Sequence, residues 1–100
     1  MNKSKAERSH FQRRAIQRVQ IFVSRIKINK IVSEIRQKKS IPLGRLTNRV
    51  SAHGVSINGD YNVILYDKNR KELITILAKE NYLYNKLNKL LQNNQLTKIK

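Results

Sequence analysis

The sequence contains no cysteine, which excludes a disulfide framework, a thiolate zinc site and a cysteine nucleophile. Its two histidines are too few for a histidine-rich metal cage. The three glycines stand apart at 44, 54 and 59, so no glycine loop can cradle a phosphate. A Ser–His–Asp triad is not excluded by composition, but no nucleophile-elbow motif surrounds a serine. No apolar run approaches the ~18–20 residues that span a bilayer. Acids are scarce: six Asp and Glu stand against 22 Lys and Arg, a net charge of +16. Asp60, Asp67, Glu72 and Glu80 fall in or near turns, a pattern of solvated turn residues rather than of a carboxylate metal cluster. No metal or other cofactor is therefore expected.

What is present is enough for one folded domain. One hundred residues with 39% hydrophobic content can bury a modest core. A compact domain with this much positive charge repels itself and attracts polyanions. The charge is uneven. Residues 1–50 hold 14 Lys and Arg with two acids, whereas residues 51–100 hold eight with four. A phosphate-contacting surface is expected mainly from the first half.

Periodicity places the elements. Residues 1–8 read as a basic tail. Over 9–27, taking about 100° per residue, Phe11, Ala15, Ile16, Val19, Phe22, Val23 and Ile26 form one apolar arc of about 140°. His10, Arg14, Arg18 and Arg25 flank it. Ile28, Ile31, Val32 and Ile35 start a second stripe about 170° away, so a break is expected near Ile28–Asn29 and a second helix over 29–38. Ile41-Pro42-Leu43-Gly44 reads as a turn, and Asn58-Gly59 is a strong hairpin signal. Strands are expected at Arg45–Ser51, Val55–Ile57, Tyr61–Tyr66 and Lys71–Leu77. Leu83, Leu87, Leu90 and Leu91 predict a helix over 79–92. The fold class is α+β: N-terminal helices packed on one face of a three- to four-stranded antiparallel sheet, plus a C-terminal helix.

The chemistry left open is metal-independent work on phosphates. RNA carries its own nucleophile, the 2′-hydroxyl, so an enzyme need only position it, move protons and stabilise charge. His10, Arg14 and Arg18, spaced i, i+4, i+8, lie along one helical face. His53 is a second candidate acid or base. A solvated basic face that merely touches phosphates is the simpler reading of the same stripe. Arg13, Arg25, Lys27, Arg36, Lys38, Lys39, Arg45 and Arg49 are candidate phosphate contacts. Tyr61 and Tyr66 are candidates for base stacking, or else cover the sheet.

The stretch from His10 to Arg18 resembles the opening His-x3-Arg-x3-Arg helix of small RelE-like proteins, in the wider barnase–EndoU–colicin–RelE group of ribonucleases and toxins. Val55–Asp67 is similar to that group's central strands, and Arg70–Leu77 to its closing strand. The resemblance spans roughly residues 10–77. It implies RNA bound across an exposed sheet face, with His10, Arg14 and Arg18 at the active face and Thr75 as a polar contact. It also implies an acidic inhibitor protein as a partner. The longer apolar segment 20–29 and the extra C-terminal helix depart from the pattern.

The expectation is thus an RNA-binding, metal-independent endoribonuclease, toxin-like or ribosome-directed. The alternative is a non-catalytic RNA-binding or ribosome-associated protein. DNA binding by the paired helices is disfavoured because their junction lacks a short glycine-containing turn. A membrane surface is set aside because a domain this small needs the whole apolar arc for its core. A basic N-terminus superficially matches an organellar transit peptide. Removing it would delete the main helix, so a mature cytoplasmic domain is expected.

Overall fold

In a computed structural model, the chain is described over residues 3–99, with side chains over 10–93. The elements are α1 (Lys3–Val19), α2 (Arg25–Arg36), β1 (Ile41–Arg45), β2 (Val50–Ile57), β3 (Asp60–Asp67), β4 (Glu72–Ile76) and α3 (Leu83–Ile99). The strands form one antiparallel meander in the order β1-β2-β3-β4. The α+β class follows, with helices before the sheet and one after it.

Side chains alternate across a strand, and here both sets are apolar. Val55, Ile57, Ile64, Tyr66, Leu73 and Ile76 face α1 and α2, where Phe11, Ala15, Val19, Val23, Ile28, Ile31 and Ile35 complete one core. Leu43, Ala52 and Val63 face the opposite way and meet Leu83, Tyr84 and Leu87 of α3 in a second core. The helices therefore cover both faces of the sheet rather than one. Gly54 makes the second core possible: a Cβ there would run into Leu87 and crowd Ile41.

Several boundaries differ from the sequence reading. Residues 3–8 of the expected tail are the first turns of α1, and residues 1 and 2 lie outside the described residues. The helix break falls at residues 20–24, not at Ile28–Asn29. Gln20 adopts φ 54° and the Ile21 amide donates to the Ala15 carbonyl, so the chain turns without a glycine. Gln12 Nε2 then ties the link to α1 through the Val23 carbonyl at 2.9 Å. Along this extended link exposure alternates, with Val23 buried and Phe22 outside. A fresh helical phase begins at the Ser24 cap, whose side chain accepts from the Lys27 amide. Phe22 and Ile26 consequently leave the arc that a single helix would give them.

Helix α2 ends in a Schellman motif. The Lys39 amide donates to the Glu34 carbonyl and the Lys38 amide to that of Ile35, with Lys38 at φ 60°. Pro42 and Gly44 lie within β1, an edge strand whose register slips between them. That is where a proline's missing N–H is tolerated. Arg45 ends β1, and residues 46–49 turn rather than extend. Asn58 and Gly59, both at positive φ, make the expected two-residue hairpin turn between β2 and β3. Helix α3 starts at Leu83, four residues after the expected start, because the Asn81 side chain caps the Leu83 amide.

Gly54→Val is expected to cost about 1–3 kcal/mol by overpacking the sheet–α3 interface. A chemical denaturation midpoint equal to that of the parent chain would contradict this arrangement of the second core.

Candidate functional site

Antiparallel turns bring charge to one end of the sheet. Arg45 and Arg49 flank the β1–β2 turn, and Lys68, Arg70 and Lys71 belong to the β3–β4 turn at the same end. Helix α1 lies along β4 and delivers His10 to this end. An open cavity of about 340 Å³ there is lined by His10, Arg49, Val50, Asp67, Arg70 and Ile74. Arg14, one turn along α1, places its Nε 3.5 Å from His10 Nε2 and its Nη1 3.5 Å from the Gln17 amide oxygen. An imidazole with guanidinium groups around it can hold an anion and move a proton beside it.

Asp67 organises this wall. Its side chain, only 6% exposed, accepts from Arg49 Nη2 at 2.5 Å. It also accepts from the Asn69 and Arg70 amides at 2.9 and 3.1 Å. The hydrogen bond from Arg49, followed by the opposing effect of burial and then the amide bonds, leaves its acidity stronger than that of an ordinary aspartate. Arg49 is held in its charged form by the same contact. One side chain thus shapes the β3–β4 turn and aims a guanidinium into the cavity. Asp67 and Arg70 are absent from the candidates drawn from sequence. The available signal was an Asp two and three residues before the amides it caps.

The other expected site residues divide. Arg18 does not face the cavity. Its Nη1 donates to Thr75 Oγ1 at 3.2 Å and to the Ile76 carbonyl at 2.9 Å, clamping α1 to the edge strand β4. Thr75 is occupied by that clamp. The expected His10, Arg14, Arg18 row therefore separates into a cavity half and a structural half.

His53 lies elsewhere, midway along β2. Its Nε2 is 2.7 Å from Ser51 Oγ and its Nδ1 is 3.0 Å from Ser40 Oγ. Tyr66 meets it edge-on at 6.1 Å. Burial, and secondarily the charge of Lys68, make its protonation harder than for an ordinary histidine. Tyr66 is 5% exposed and sits in the first core, so it covers the sheet and is not available to stack on a base. Tyr61 remains exposed.

Of the expected phosphate contacts, Arg49 lines the cavity and Arg45 stands at the same end. Arg13, Arg25, Arg36, Lys38 and Lys39 are exposed along the helical side, and Lys27 is half-buried. The sheet face opposite α1 and α2, where the resemblance places RNA, is covered by α3. Among the described residues, no three His, Cys, Asp or Glu side chains come together as a metal ion requires. No helix there is long and apolar enough to cross a membrane.

Compared with known protein families, curated proteins and solved structures, the chain matches none of them.

Arg18→Ala is expected to cost about 1.5–3 kcal/mol, the usual loss for hydrogen bonds from a charged group, seen as a lower thermal midpoint. Arg14→Ala should leave that midpoint nearly unchanged. A second outcome follows from His53. Its folded pKa lies below the unfolded value, so the stability it contributes is complete above the ordinary histidine range. That stability is lost as pH falls through the range. Thermal midpoints between pH 7.5 and 5 should decline in the parent chain and flatten in His53→Gln; parallel declines would remove His53 as the cause.

Proposed function

We propose that the chain binds RNA at the basic end of its sheet and cleaves it as a metal-independent endoribonuclease. The observation that carries this reading is the cavity that joins His10 to Arg49 and Arg70, with Arg14 beside it. A polyanion is drawn there by the net charge of +16 and by the release of its counterions.

In the cleavage step, His10 takes the proton from the 2′-hydroxyl as its oxygen attacks the adjacent phosphorus. A bond from O2′ to phosphorus forms and the bond from phosphorus to O5′ breaks. The guanidinium groups of Arg14, Arg49 and Arg70 face the extra negative charge of the pentacoordinate state. The departing O5′ takes a proton from water in this open cavity or from the imidazolium. The products are a 2′,3′-cyclic phosphate and a 5′-hydroxyl. Asp67 positions Arg49 and takes no proton.

Radiolabelled RNA incubated with the protein and EDTA tests the reading. Cleavage to cyclic-phosphate ends is expected, with a loss of roughly 10²–10⁴-fold in rate for His10→Ala. Intact RNA, shifted in a gel at low salt and released at high salt, would replace the ribonuclease reading with a non-catalytic RNA-binding protein. Cleavage that is equal in parent and variant would remove His10 from the chemistry.

A further inference from the structure

Three large apolar side chains stand outside both cores at the corner where α1 passes into α2. Ile16 is 50% exposed in the last turn of α1, Phe22 67% in the link, and Ile26 82% in the first turn of α2. The corner has a charge of one sign. Arg13 lies one turn before Ile16 and Lys30 one turn after Ile26, each on its neighbour's helical face, and Arg25 directly precedes Ile26. Between Glu7 and Glu34 the sequence holds no acid. The sequence-based reason for setting a membrane surface aside, that the core needs the whole apolar arc, does not apply to these three residues.

We propose that this corner is a lipid-surface anchor. It inserts Phe22 and Ile26 between the headgroups of an anionic bilayer while Arg13, Arg25 and Lys30 bind lipid phosphates. Charge complementarity selects a negative partner, and the +16 charge opposes a second copy of this chain. Extent selects a lipid over a protein. A stable protein interface covers about 800 Å² on each partner, far more than three side chains supply. Shallow insertion of a few apolar groups, reinforced by neighbouring cations, is by contrast sufficient at a headgroup layer. The inference rests on the corner alone and is independent of the reading of the His10 cavity.

The chain lacks tryptophan, so one introduced indole reports its own surroundings. Phe22→Trp is compared with Leu46→Trp, which lies in the β1–β2 turn at the far end of the sheet. Vesicles of phosphatidylglycerol and phosphatidylcholine, with and without brominated acyl chains, provide the surface. A blue shift and bromine quenching are expected at position 22 and not at 46, with weak binding to pure phosphatidylcholine. Phe22→Ser/Ile26→Ser should bind the anionic vesicles on the order of tenfold more weakly, with circular dichroism, thermal midpoint and behaviour toward RNA unchanged. Several results would overturn the proposal. No vesicle binding would do so outright. Binding without quenching at position 22, or equal binding by the double variant, would mean adsorption of a polycation. A parent dimer that becomes a monomer in the double variant would assign the corner to a second copy. Corner-dependent binding of an acidic amphipathic peptide, with no insertion into vesicles, would assign it to a protein.

Discussion

A sheet that is apolar on both faces must be covered on both faces, and most of this molecule follows from that constraint. In β2, Val55 and Ile57 point one way while Ala52 points the other; in β3, Ile64 and Tyr66 oppose Val63 and Leu65. Leaving either set in water would forfeit roughly 25 cal/mol for each Å² of apolar area. Helices α1 and α2 take one face and α3 the other. Among the described residues both faces of the sheet are packed against helices, which directs function to its edges, its ends and the outer sides of its helices.

The end with the two longer connections is where the charge collects. Turns resist burial because their backbone groups need water or a side chain, so arginine and lysine sit there with little desolvation. Asp67 converts a loose cluster of cations into a fixed wall. Three donors converge on its carboxylate, and the turn it folds presents Arg70 on the same side as the Arg49 it holds. The opposite end has a two-residue hairpin turn and one exposed ion pair, Lys79 to Asp60 at 3.0 Å.

The element order, the Asn58-Gly59 hairpin and the leucine spacing of α3 were legible because each depends on residues within a few positions of one another. That the helix breaks was legible from the change of apolar phase, but the position of the break was not. Gln20 carries no signal for positive φ, and a wheel drawn through residues 20–24 keeps turning where the chain does not. Phe22 and Ile26 were misplaced for that reason alone. Arg18 was read as part of a catalytic row because helical spacing puts it in line with His10 and Arg14. Its partners, Thr75 and the Ile76 carbonyl, are 57 and 58 residues away, a separation that no local pattern encodes. Tyr66 was ambiguous between stacking and covering until the register placed it opposite Ser51, under the helices. Asp67 reads from sequence as a solvated turn residue, whereas it ends β3 and is buried. Its reach to Arg49 depends on two separate turns lying side by side.

The same geometry bears on how a chain with 22 cations and six acids stays folded. Among the described residues Asp67 pairs with Arg49 and Asp60 with Lys79, and with six acids against 22 cations most of the positive charge has no internal counterpart. Distributing it over helix exteriors and turns keeps most of these groups hydrated, which limits the repulsion but does not remove it. A polyanion laid across that surface would supply the missing counter-charge to the folded state. The unfolded chain carries the same charges at lower density and would gain less. Binding and folding are then linked, since a ligand that prefers the native state stabilises it by mass action. The excess charge is in this sense a constraint on the fold as well as a means of recognition: the domain is held against its own field by two small cores, and association with an anionic surface would relieve that field.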